Sequence, residues 1–274
     1  MDATVALVQM DCELGDLAAN LERIESYASS AVGTHAADIV VFPECATTGY
    51  FVGEKARELA EPADGPTNER LARLAASLGT HLAVGVTERD GADLYDALAL
   101  FAPERGLIAM YRKVHLFAGE KVLFTQGHVP MLVDTAIGRL GLTICYDLMF
   151  PEYVRGLVLG GAELIVNSTD WITDDWQAER GWTGTSVRAL CQIRALENGV
   201  HVVMADRVGT ELGWKSLGYS TIASPTGSVL AGIDMDEGIG ASRVLDPSPD
   251  LDRWRGIATY LPDRRAETYR AMGV

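Results

Sequence analysis

Three stretches of this sequence share one layout, an apolar run that stops at a reactive side chain. Val40-Val41-Phe42-Pro43 leads into Glu44, Met110-Tyr111-Arg112 into Lys113, and Leu142-Thr143-Ile144 into Cys145. Strand ends are where α/β folds place their sites. A thiol with a cation or a base near it suits nucleophilic catalysis. A free thiol with a pKa of about 8.5 is only a few per cent thiolate at neutral pH, so it needs a base, a cation or both. Taken singly, each residue has an ordinary explanation: Cys145 as a small buried hydrophobe, Lys113 as a solvated strand end, Glu44 as a loop carboxylate. His115 raises a rival, a Cys/His dyad. Period-two spacing puts it on the strand face of Lys113, and a structural role is expected for it. Cys45, with no tight turn expected after it, should pack beneath the site.

The elements around these residues alternate. Thr4–Gln9 reads as a strand, Asn20–Ser30 as a helix (Leu21, Ile24, Tyr27 and Ala28 share one face), and Asp38–Phe42 as a strand stopped by Pro43. The helix Thr67–Leu78 leads through Gly79 to the strand His81–Val86, and Tyr95–Phe101 and Leu107–Tyr111 continue as a β-meander. The second half repeats the rhythm: strand Leu140–Ile144, helix Pro151–Leu159, strand Glu163–Asn167, helix Ser186–Asn198 ended by Gly199, strand His201–Ala205. Two strand layers with helices outside are implied. Cys145 sits on a strand-to-helix turn, which presents its thiol rather than burying it. Residues 169–185 form a long irregular connection expected to roof a pocket.

Composition removes other classes of function. The chain has 274 residues, 48% of them hydrophobic and 22% charged, enough to bury a large single core. Its formal charge of −15 repels phosphate backbones and anionic lipid, so neither nucleic acid nor membrane is expected as a partner. No apolar run reaches 18 residues and no basic region opens the chain, so a cytoplasmic protein is expected. The four cysteines form no CxxC pair, and reduced thiols follow. The histidines lack metal-ligand spacing and no phosphate loop occurs, so no metal or cofactor is expected. Asn167-Ser168-Thr169 fits a glycosylation sequon but ends an apolar strand, which argues for burial.

Together, Phe42-Pro43-Glu44 with Thr48-Gly49-Tyr50, Tyr111 to Phe117, and Cys145-Tyr146-Asp147-Leu148-Met149-Phe150-Pro151-Glu152 resemble the nitrilase, or carbon-nitrogen hydrolase, superfamily. Gly119-Glu120, Arg194 to Gly199, Arg207-Val208-Gly209 and Pro225-Thr226-Gly227 extend the likeness over about residues 4–232. The resemblance implies an α/β fold, a four-layer α-β-β-α sandwich over residues 1–246, in a homodimer or higher homo-oligomer. The tail 247–274 would then pack on a partner subunit. It also implies Glu44 as general base and acid, Lys113 as oxyanion-stabilising cation, Cys145 as nucleophile, and Glu120 as the carboxylate that holds Lys113 and substrate. The Tyr146 N–H would be a second oxyanion donor.

Cys145-Tyr146-Asp147 resembles the amide-hydrolysing branches rather than the Cys-Trp-Glu of nitrilases. An amidase acting on a small carboxamide is the main reading. An N-carbamoyl hydrolase is its close rival, a nitrilase comes third, and a noncatalytic scaffold is the alternative from another class. Many amide-hydrolysing relatives carry arginine where this chain has Met149. With Tyr50, Phe150 and Trp171 as neighbours, a neutral acyl group is expected, unless Met149 only packs under the next helix or Arg188 or Arg207 supplies a cation from elsewhere.

Overall fold

The computed structural model describes residues 1–271 and 273. Two six-stranded sheets face one another. In the first, Gly238–Leu245, Asp2–Gln9, Ile39–Val41, His81–Asp90, Asp93–Ala102 and Gly106–Arg112 lie side by side in that order. In the second the order is Val229–Gly232, Thr221–Ala223, His201–Ala205, Leu164–Ser168, Gly138–Ile144 and Met131–Thr135. Each sheet has a parallel trio at its centre and antiparallel strands outside it.

The alternation of side chains along each strand builds the layers. Val5 and Leu7 point into the inter-sheet core with Ile39, Val41, Leu142, Ile144 and Val203, while Ala6 and Val8 point the other way. There they meet Leu21, Ile24 and Ala28 of the helix Leu17–His35 and Leu71 and Ala75 of Pro66–Leu78. Val154, Leu157, Val187, Cys191 and Ala195 of the helices Pro151–Leu159 and Gly184–Asn198 cover the second sheet. Strands buried on both faces read as near-continuous apolar runs, which is how the central ones appear in the sequence. The result is the α-β-β-α sandwich.

Several bounds differ from the sequence reading. The first helix starts earlier, because the Asp16 carboxylate accepts from Ala19 N at 3.0 Å and caps it, and it runs on to His35. Residues 169–185 are less irregular than expected. Ile172–Thr173 pairs with Trp214–Ser216, which pairs with Thr210–Glu211 in a small third sheet, and Asp175–Ala178 makes one helical turn. Asn167 is fully buried and donates to Thr143 Oγ1 at 3.0 Å, as expected of a strand residue. Past the sheets, Pro249–Ile257 packs on the same chain: Leu251 is buried, and Arg255 pairs with Asp246 and donates to Gly199 O at 2.8 Å. The expected tail also includes Met272 and Val274, which lie outside the described residues. No helix among the described residues is long and apolar enough to cross a membrane.

Candidate active site

Glu44, Lys113 and Cys145 all sit one residue or a few past the C-terminal end of a strand, the first two in one sheet and Cys145 in the other. Glu44 follows Ile39–Val41 in a turn that brings its backbone against the neighbouring strand. A Cβ on Gly85 would lie 2.2 Å from Pro43 O and 2.6 Å from Cys45 N, so glycine is required there for the backbones to approach. Cys45 does open a tight turn, contrary to expectation: its carbonyl accepts from Thr48 N and Gly49 N, and its φ is 48°. Its thiol faces Asp96 at 3.9 Å, beneath the site.

Cys145 stands at the junction of Gly138–Ile144 and the 3-10 helix Cys145–Met149, with φ at 42°, a left-handed conformation that costs a non-glycine residue energy. Asp147, fully buried, holds this elbow. One carboxylate oxygen accepts from Ile144 N (2.9 Å) and Tyr111 OH (2.7 Å), the other from His115 N (2.9 Å) and bonds His115 Nδ1 (2.7 Å). His115 thus serves Asp147 and not the thiol. It shares no strand face with Lys113, because the strand ends at Arg112.

Lys113 is completely buried among three carboxylates. Its Nζ lies 2.5 Å from Glu44 Oε1, 2.7 Å from Glu120 Oε1 and 3.2 Å from Asp96 Oδ2. Glu120 also accepts from Tyr50 OH at 2.5 Å and from Phe117 N at 2.7 Å, tying two loops to the lysine. The cysteine and the glutamate meet at one residue: Asp170 N donates to Glu44 Oε2 at 2.8 Å, and Cys145 Sγ lies 3.7 Å from Asp170 O. Sequence reading missed Asp96 and Asp170. Asp96 left a signal, a lone carboxylate in the apolar run from Leu94 to Ala102; Asp170 left none.

Glu44, Asp96 and Glu120 are the one set among the described residues with the spacing of metal ligands, their oxygens within 4.8 Å of one another. The Lys113 ammonium occupies the position a cation would take, so the donor set does not suit a metal. Three buried carboxylates around one ammonium leave an excess of negative charge, which resists ionisation of Glu44 and Glu120. Burial pushes Glu44 well above the usual carboxylate range; Lys113 pulls it back, and Asp96 and Glu120 add to the rise. Glu120 is raised for the same reasons. Burial alone would strip the Lys113 proton, but Glu120, Glu44 and Asp96 outweigh it and hold the ammonium well above the ordinary lysine range. Burial, then Glu44, push the Cys145 thiol well up. Lys113 therefore does not suffice to ionise it. The resting state is thiol beside a basic carboxylate.

A cavity of about 220 Å³ opens on Cys145, walled by Tyr146, Met149, Trp171, Trp182 and Gln177 among others. The 169–185 connection does roof it. Tyr50 lies in an adjoining chamber, and Phe150 lines neither: its ring stacks on His115 at 3.8 Å, so its place is behind the elbow. Arg207 is buried against Asp170 and Glu211, and Arg188 pairs with Asp234 at 2.8 Å. Neither cation reaches the cavity wall.

The carbon-nitrogen hydrolase family model matches residues 4–255. The chain belongs to the carbon-nitrogen hydrolase family. It is 30% identical to a probable nitrilase of Schizosaccharomyces pombe, with 99% of each chain covered, and 31% identical to an omega-amidase of Homo sapiens, with 91% of each covered. A solved amidase from Nesterenkonia sp. AN1 superposes with a TM-score of 0.84 at 27% identity, covering 98% of this chain and 96% of that one. That solved variant carries the acetamide moiety of fluoroacetamide added covalently at its active-site cysteine. As a carbon-nitrogen hydrolase, this chain is an enzyme that acts on carbon-nitrogen bonds other than peptide bonds.

Proposed function

We propose that this hydrolase cleaves a small neutral carboxamide to a carboxylic acid and ammonia through a thioester on Cys145. The observation that carries the reading is the placement of Glu44, paired with Lys113, and of Cys145 against one residue, Asp170, with Cys145 in the wall of a cavity whose lining residues include no cation. Glu44 takes the thiol proton as Sγ bonds to the amide carbon. The alkoxide that forms is held by the Lys113 ammonium and by the N–H of Tyr146, which lies in the first turn of a helix where backbone donors have no helical acceptor. Each such donor is worth about 3 kcal/mol in the barrier. The alkoxide collapses, the C–N bond breaks, and Glu44 gives its proton to the leaving nitrogen. Water then gives a proton to Glu44 and attacks the thioester; the acid departs and the thiol regains its proton. Glu120 keeps Lys113 aimed. Four free, buried cysteines suit the cytoplasm.

Neutrality follows from the walls. Met149, 39% exposed, faces the cavity where a cation would bind an acyl carboxylate, and Asp170 already engages Arg207. A charge-assisted hydrogen bond of about 1.5 to 3 kcal/mol is absent. The kcat/KM for propionamide or benzamide should exceed that for succinamate or 2-oxoglutaramate by at least about tenfold at equal ionic strength. A tenfold advantage for the anionic amides would overturn the substrate assignment. This margin also separates the reading from that of an omega-amidase, which likeness alone leaves open.

We further propose assembly as a homodimer or higher homo-oligomer, supported by the family resemblance and by Ile257, left 74% exposed at the end of the helix Pro249–Ile257, with Tyr260 36% exposed beyond it. Light scattering should give at least twice 29.5 kDa. A monomer mass across a tenfold dilution series would refute it.

A further inference from the structure

A second chamber of about 540 Å³ adjoins the cavity over Cys145, more than twice its size. Phe117 and Ile172 line both, so the two share a wall. The inner end of the chamber is polar, the Tyr50 hydroxyl on the Glu120 carboxylate that also holds Lys113. Outward, Glu54 apart, the lining is apolar: Phe51 and Trp214 lie nearly parallel, 6.3 Å between ring centroids, and Leu212 and Val122 stand at the rim, 76% and 90% exposed.

The rim is built at a cost. Leu212 and Gly213 form the two-residue turn between Thr210–Glu211 and Trp214–Ser216, and both have positive φ, 49° and 88°. Such a turn favours Asn-Gly, because only small or short polar residues tolerate the first position well. A leucine there is strained and leaves its side chain in water, two penalties with no return in the fold. The turn is nonetheless rigidly placed. Glu211, buried at its base, accepts from Tyr50 N (3.0 Å) and Phe51 N (2.8 Å) and pairs with the fully buried Arg207. Two walls of the chamber are thereby locked together before any ligand arrives. A preformed apolar hollow with a few polar groups at the reacting end is the ordinary form of a small-molecule site.

We infer that this chamber receives an apolar, aromatic or branched aliphatic arm at the far end of the substrate's acyl group. Building on the amide reading above, the preferred substrates are then neutral primary amides whose acyl chain carries such an arm past Phe117 and Ile172. The reacting end stays small and the distal end is bulky.

Ammonia release from propionamide, hexanamide and 4-phenylbutyramide tests it. The kcat/KM should rise at least tenfold from the first to the last. Leu212→Asp and Val122→Asp, both at exposed positions, should lower it for 4-phenylbutyramide at least fivefold more than for propionamide. Calorimetric titration of Cys145→Ala with the same amides reads the chamber without turnover. Binding at least tenfold tighter for 4-phenylbutyramide, lost with Leu212→Asp, upholds the chamber even if the native enzyme releases no ammonia, in which case the amide reading alone falls. Equal affinity for short and long amides overturns the inference. So does a fall in oligomer mass in Leu212→Asp with the amide series unchanged, which would assign the chamber to a second copy of the chain.

Discussion

Cys145→Ala is expected to lower kcat by at least about 10⁴-fold, as loss of a nucleophile does where the covalent path is the only efficient one. The thiol is 4% exposed, its one hydrogen-bond contact is long, to Asp170 O at 3.7 Å, and a cavity lies beside it, so removing a single sulfur atom should leave the fold intact. Thermal melting should stay close to that of the native enzyme. Mass spectrometry of the native protein with iodoacetamide should place the first adduct on Cys145, where Glu44 takes the proton as sulfur displaces iodide. Cys12 and Cys191 are also buried and burial raises their thiols, but neither has a carboxylate base and a cavity beside it. Substantial turnover by a folded Cys145→Ala protein, or equal labelling of the three, would remove the nucleophile assignment.

Glu44→Gln and Lys113→Ala should each lower kcat by at least about 100-fold, the usual consequence of losing a positioned base or an oxyanion donor. The lysine variant leaves three carboxylates buried around an empty position, and breaking a buried pair typically costs about 3 to 5 kcal/mol of stability. Its turnover must therefore be read on protein shown to be folded; Glu44→Gln keeps the shape and carries the test if Lys113→Ala does not fold. The pH profile adds a signature. Glu44 must be ionised to accept the thiol proton, and its pKa lies above the ordinary carboxylate range, so kcat/KM falls as pH drops through that raised value. Lys113, Asp96 and Glu120 all face it. Removing the charge of Asp96 eases ionisation of Glu44, and in Asp96→Asn the acid limb should move to lower pH. A limb that stays in place or moves up would show that Glu44 is not the group being titrated. Either point variant keeping more than about a tenth of native kcat would overturn its role.

The layers and most of the site's cast were legible in the sequence for a local reason. Helix caps, strand-stopping proline and the period of apolar residues act over a few positions, so Phe42-Pro43-Glu44 and Ile144-Cys145 announce strand ends without help from the rest of the chain. Phe150 shows where local reading fails: adjacency to Cys145 placed it at the substrate, but stacking on His115, more than thirty positions away, holds its ring behind the elbow. The structural role expected for His115 takes its form from Asp147, whose carboxylate claims both its backbone and its ring. Asp96 became part of the site through strand pairing within the first sheet, where its carbonyl accepts from Lys113 N at 2.9 Å, and Asp170 through the packing of the second sheet on the first, which sets its N–H against Glu44. The electrostatics belong wholly to the tertiary structure. In water Lys113 beside Cys145 would favour the thiolate, whereas buried among Glu44, Asp96 and Glu120 it is already neutralised and the thiol stays protonated. Sequence names the groups that can react, and burial decides which of them holds the proton.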